Sequence, residues 1–518
     1  MKLEKTKNAK RNIVYGISNK IITMLLPFAL RSVIIYCLSA EYLGLNSLFS
    51  SILQVLNLTE LGFGSAIVYS MYKPIADNDV DTVCGLLNFY KRVYSVIGGC
   101  ILGVGLCLLP FLKHLISGEY PADINLYIVY LCYLANTVLS YWLFAYKNSL
   151  LNAYQRTDVL SKISTVTLGS MYALQILVLL ITRNYYLFAI IMPLCTAFQN
   201  IVIAYVTKKM FPQYICRGSV SKTILSNIKK QISGLMVTKI CAVTRNSFDS
   251  IFVSAYLGLT ITAMYGNYYY IMNAIIGVLM AVSNSILAGV GNSIITDSTE
   301  KNYADLKKFN FLYMWMAGWC TVCLACLYQP FMYIWVGSDL MFPYPIVIAF
   351  CIYFYALEIG VIRGVYSDAA GLWWENRYRA IAESVTNIIL NYIFVLKFGV
   401  MGIIVATLIS LLIINFGFGS QIVFKYYFKN GKLMEYFALH LLYAGVTAVI
   451  CVITYIGCGF IATNGIFGFV EKVVVCLILP NIFYVLIYHS TAIYQQSMIW
   501  LTNALRIPKK IRRLLFLQ

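Results

Sequence analysis

Two arginines lie where an apolar segment should carry none. Arg31 falls inside the apolar run 12–38 and Arg245 inside the run 231–255, 214 positions later. Eleven residues after each begins the same tetrapeptide, Tyr42-Leu43-Gly44-Leu45 and Tyr256-Leu257-Gly258-Leu259. A charged side chain at the centre of a membrane helix costs roughly 2.5–3.5 kcal/mol on insertion scales. Two at matching places therefore point to a use, and a guanidinium meets phosphate oxygens in bidentate fashion. Lys20 stands eleven residues before Arg31 in the same run. That separation is three helical turns plus about 20°, so both cations face one way, about 16 Å apart along the axis. Pro27 lies between them, removes one helix hydrogen bond and serves as a hinge.

Three acids accompany these cations. Asp249 stands at i+4 from Arg245 and can pair with it along one face. Glu60 lies beside Gly62 and Gly64, and Glu358 precedes Arg363 by five residues, about 140° around a helix. Lys239 is the fifth embedded cation, on a different face from Arg245. Lys20, Arg31, Lys239, Arg245 and Arg363 against Glu60, Asp249 and Glu358 leave a surplus of positive charge, which favours an anionic ligand. The acids are candidates for ion coupling, to H+, Na+ or the membrane potential, or for neutralising a cation.

The elements that must position these residues are membrane helices. Of 518 residues, 60% are hydrophobic and 11% charged, against about 25% charged in an ordinary soluble chain. Fourteen apolar stretches of spanning length run from 12–38 to 466–488, so the expected fold is all-α and polytopic. Numbering them from a cytoplasmic N-terminus places Lys113, Arg183, Lys397 and Lys472 outside. Apart from the five embedded cations, the other 30 of the 39 Lys and Arg fall in cytoplasmic segments or at their edges. That asymmetry is the positive-inside rule, and it puts both termini in the cytoplasm. The net charge of +19 then reflects topology and anionic headgroups rather than nucleic acid.

The repeat divides the chain. Pro110-Phe111 with Gly118 returns as Pro330-Phe331 with Gly337, and Asn88-Phe89 as Asn310-Phe311. Residues 1–207 form one six-helix lobe and 231–428 another, joined by the basic linker 208–230. Residues 437–490 add two helices, and 491–518 form a basic tail. Six spans per lobe make the lobes parallel repeats, related by a pseudo-two-fold along the membrane normal.

Other chemistries lack their residues. There is no phosphate-binding glycine loop followed by Lys, and no nucleophile with a base, so the chain reads as a non-enzyme without cofactor. Cys320-x2-Cys323-x2-Cys326 has metal-like spacing, but its apolar neighbours make packing the plainer reading, and no metal is expected. His114, His440 and His489 are scattered. Tyr265, Tyr268, Tyr269 and Tyr270 read as an interfacial belt.

Several stretches resemble the polysaccharide flippases of Wzx type, within the multidrug/oligosaccharidyl-lipid/polysaccharide exporter superfamily. They are Pro27-Phe28-x2-Arg31, Glu41-Tyr42-Leu43-Gly44-Leu45, Glu60-Leu61-Gly62-Phe63-Gly64-x-Ala66 and Tyr72-Lys73-Pro74. Later come Tyr256-Leu257-Gly258-Leu259, Gly371-Leu372, Glu383-x3-Asn387 and Gly399-x2-Gly402-x4-Thr407. The resemblance implies two lobes forming a V around a central cavity. It implies transfer of undecaprenyl-pyrophosphate-linked oligosaccharide across the bacterial cytoplasmic membrane, for capsule, O-antigen or another surface polymer. Expected partners are that lipid-linked oligosaccharide, membrane lipids and other polysaccharide-assembly proteins. Two further readings remain. A small-molecule exporter would more naturally carry an acidic cavity, and a membrane-embedded polymerase or glycosyltransferase would need a long outer loop.

Overall fold

The computed structural model describes residues 5–57, 63–429, 432–463 and 465–504, and every regular element among them is helical. Helices suit this composition because lipid offers no partner to the backbone, so each N–H and C=O must be satisfied within its own segment. In order come α1 Lys5–Cys37, α2 Ala40–Leu56, α3 Phe63–Ala76, α4 Val80–Cys107, α5 Leu126–Trp142, α6 Asn148–Ala153, α7 Thr157–Thr182 and α8 Tyr185–Met210. Then follow α9 Lys222–Leu257, α10 Leu259–Thr296, α11 Thr299–Val336, α12 Tyr344–Glu358, α13 Val361–Ala369 and α14 Trp373–Ile409. The chain ends with α15 Gly419–Val423, α16 Leu433–Gly459, α17 Gly465–Tyr488 and α18 Ala492–Ala504. A 3-10 segment, Leu109–Leu115, follows α4, and a π-helical stretch, Ser410–Phe418, continues α14.

Among the described residues nine helices are long and apolar enough to cross a bilayer, or eleven if each of two bent pairs is one crossing. One of the nine, Trp373–Phe428, has 56 residues. At 1.5 Å per residue it would be about 84 Å long, far beyond a hydrocarbon core of ~30 Å. Gly399 resolves this. Its φ of 56° and ψ of −133° break the helix, and Gly402 then rests on the Phe394 carbonyl. The chain doubles back, and Asn387 Nδ2 donates to Thr407 Oγ1 across the two limbs at 3.0 Å. Helices α2, α3 and α9 occupy the remaining apolar segments of the sequence.

The chain forms two compact units, Met1–Gly266 and Asn267–Gln518. In the first, α1 packs along α7, and α9 packs on α2, α3 and the 3-10 segment. Gly44 makes the α2 approach close, because a methyl group there would collide with the backbone of Leu259. The linker lies on α4, with Asn88 Nδ2 donating to the Gly218 carbonyl at 2.9 Å. Asp79 caps α4 by accepting from Thr82, whose hydroxyl and amide hold the carboxyl below the usual carboxylate range. In the second unit α11 is the central helix, in contact with α12, α16, α17 and α18.

The repeat survives in the backbone. Gly118 and Gly337 have φ of 80° and 79°, a region that costs most residues a steric penalty and glycine none.

Candidate functional site

Arg31 sits six residues before the end of α1, which runs unbroken through Pro27. It is half-buried. A methyl group on Gly266 would stand 2.8 Å from Arg31 Nη2 and 3.1 Å from Ser47 Oγ. The guanidinium therefore lies over a bare patch of α10, beside a hydroxyl of α2. Small residues at such places let a bulky cation lie between helices without forcing them apart.

The next residue back on α10 meets the acid that stands one turn from the other arginine. Tyr265 is 1% exposed and its hydroxyl donates to Asp249 Oδ2 at 3.3 Å. Asp249, 1% exposed, is one turn beyond Arg245 on α9. Consecutive residues Tyr265 and Gly266 thus meet the two sets of charges that the sequence repeat singled out. The belt reading fails for two of the four tyrosines. Tyr265 and Tyr268 are buried, and Tyr268 donates to Gln329 Oε1 at 2.8 Å.

Lys20 is exposed, about 16 Å along α1 from Arg31. The Lys239 side chain and all of Glu60 lie outside the described residues.

Glu358 and Arg363 take separate partners, as their angular separation predicts, and the helix breaks between them at Gly360. Tyr313 of α11 donates to Glu358 in a short hydrogen bond. Arg363 is 6% exposed and is fastened to the π-helical stretch. Its Nη1 donates to the carbonyls of Asn415 at 2.6 Å and Phe416 at 3.3 Å, and its Nη2 to Asn415 Oδ1 at 3.2 Å. A π turn leaves carbonyls out of α register, and stretches of this kind recur at functional sites. Here a guanidinium takes them up.

Sequence reasoning missed the network behind this clasp. Asn415 Nδ2 donates to Glu383 at 2.8 Å, and Glu383 pairs with Arg379 at 2.7 Å. Arg379 Nε reaches Asn376 Oδ1 at 3.0 Å, and Asn376 reaches Ser367 Oγ at 2.9 Å. Residues 379, 383, 387 and 391 form an i, i+4 ladder on α14. That spacing within an apolar run was the available signal.

No protein-family model matches the chain, and no curated protein matches it. Solved structures do. The inward closed conformation of the lipid II flippase MurJ aligns over 92% of this chain and 99% of its own, with a TM-score of 0.62 and 16% identity. An inward-facing multidrug resistance MATE family transporter of the MOP superfamily aligns over 78% and 97%, with a TM-score of 0.59 and 15% identity. An outward-facing MATE structure aligns over 82% and 97%, at 0.52 and 16%. The chain has the fold of these transporters. At such identities the likeness is one of architecture, and the chemistry must be argued from this chain's own residues.

Proposed function

We propose that this protein is a flippase. It moves undecaprenyl-pyrophosphate-linked oligosaccharide repeat units across the bacterial cytoplasmic membrane by alternating access, for a surface polysaccharide such as capsule or O-antigen. The observation that carries this reading is Arg31, a guanidinium within an apolar helix, lodged against Gly266 and Ser47. A pyrophosphate carries about two negative charges and cannot enter a low-dielectric interior without fixed countercharge. Arg31 supplies it in bidentate form, Arg245 adds a second cation tempered by Asp249, and Lys20 attracts the ligand from its exposed position on α1. Pro27 lets α1 bend as access alternates. Asp249 and Glu358 are the embedded acids available for ion coupling. Arg363 is not counted among the phosphate-binding groups, because its Nη donors are engaged by the Asn415 and Phe416 carbonyls and Asn415 Oδ1.

A fold shared with a lipid II flippase supports a lipid-linked cargo, and the surplus of embedded cations weighs against an exporter of organic cations. A deletion strain tests the reading. Lipid-linked repeat units should accumulate on the inner leaflet and surface polymer should vanish, and the plasmid-borne gene should restore it. Two results would overturn it: unpolymerised units arriving at the surface, as for a polymerase, or normal polymer with lost drug efflux.

A further inference from the structure

The pattern Cys320-x2-Cys323-x2-Cys326 does not close on itself. Cys326 of α11 meets instead Cys458 at the end of α16 and Cys476 in mid-α17, and the three sulfurs lie within 4.8 Å of one another. All three residues are buried, with Cys476 fully so. Cys458 and Cys476 stand 3.8 Å apart, sulfur to sulfur. One buried cysteine needs no explanation beyond packing, since the side chain behaves as a small hydrophobe. Three that converge on a point from three helices form a preorganised donor set.

Geometry and charge narrow what the set would hold. With metal–sulfur bonds of roughly 2.3 Å, a trigonal ion has sulfur–sulfur edges of about 4.0 Å, close to the spacing already present. Among the described residues no fourth Cys, His, Asp or Glu joins the group, and Cys323 gives its S–H to the Cys476 carbonyl at 3.7 Å. Structural zinc sites take four ligands, whereas soft thiolates select copper(I). Binding through three thiolates releases three protons to water and leaves a net charge of about −2. Lys472, one turn before Cys476 on α17, brings a positive charge that offsets part of it.

We infer that Cys326, Cys458 and Cys476 form a three-sulfur site for a soft monovalent cation, copper(I). The site is remote in sequence from Arg31 and independent of the transport reading. Purified full-length protein, reduced and in detergent, is titrated with copper(I) against a chromophoric chelator. One tightly held ion per chain is expected, with three sulfur neighbours at about 2.3 Å in X-ray absorption. Cys326→Ala and Cys458→Ser should each weaken binding at least a hundredfold, while Cys323→Ala should leave it unchanged. Thermal melting confirms that the variants are folded. The inference is overturned if the wild type loses copper(I) to the chelator as readily as the Cys326→Ala/Cys458→Ser double variant. It is overturned equally if protein purified without oxidant carries a Cys458–Cys476 disulfide.

Discussion

Arg31 and Arg363 are both guanidiniums embedded in apolar helices, yet their surroundings differ in kind. Arg363 is 6% exposed and gives three hydrogen bonds to one short stretch of main chain and its Asn415 side chain. Its neighbours close around it, and a methyl group at Gly419 would collide with Nη1. Arg31 is half-buried, and its Nη2 lies beside Gly266 and the hydroxyl of Ser47. Embedded charge alone therefore does not mark a ligand site. What marks Arg363 is closure: it is 6% exposed and its Nη groups are taken up by the Asn415 and Phe416 carbonyls and Asn415 Oδ1, whereas Arg31 keeps partial exposure.

Substituting each arginine should separate function from stability. Arg31→Ala should abolish polysaccharide export, a loss of a hundredfold or more, with membrane levels and melting temperature unchanged. Arg31→Lys should retain part of it, since a point charge replaces a bidentate fork. Arg363→Met should do the reverse and lower stability. Hydrogen bonds in membranes contribute roughly 0.6–2 kcal/mol each, so losing three costs about 2–6 kcal/mol, read as a fall in melting temperature and membrane level. Arg363→Lys should not rescue it, because an ammonium cannot span the Asn415 carbonyl and side chain together. Equal behaviour of the two arginines in both assays would erase the distinction.

Smaller changes sharpen the same contrast. Gly266→Ala places a methyl 2.8 Å from Arg31 Nη2 and should cut export about tenfold while sparing stability, since a flexible side chain can yield. Gly44→Ala meets the rigid backbone of Leu259 instead and should lower membrane levels. Tyr265→Phe removes one donor to Asp249. It should cost about 0.5–1.5 kcal/mol, seen as a small drop in melting temperature. Lys20→Ala, at an exposed position, should change export by no more than about fivefold, and less in high salt.

The sequence exposed the helical, polytopic fold because apolar length has one solution in lipid. It exposed the repeat because Gly118 and Gly337 answer one backbone demand with φ of 80° and 79°. It did not reveal that one tetrapeptide would take two local structures. Tyr42-Leu43-Gly44-Leu45 lies within α2, whereas Tyr256-Leu257-Gly258-Leu259 spans the break between α9 and α10, with Gly258 at φ 90°. Nor did it reveal the Arg363–Asn415–Glu383–Arg379 chain: the i, i+4 spacing could pair Arg379 with Glu383, but Arg363 and Asn415 come from two other elements that no local spacing links to α14. The belt reading of Tyr265 and Tyr268 failed for a related reason. A hydroxyl that finds Asp249 or Gln329 can be buried, and only packing decides that.

The central claim is that Arg31 holds the pyrophosphate of a lipid-linked substrate. Binding of undecaprenyl-pyrophosphate-linked oligosaccharide to purified wild type, Arg31→Ala and Arg363→Lys tests it most directly. Arg31→Ala should weaken binding at least tenfold, about 1.4 kcal/mol, at unchanged melting temperature, whereas any folded fraction of Arg363→Lys should bind as the wild type does. Wild-type affinity in well-folded Arg31→Ala would contradict the account.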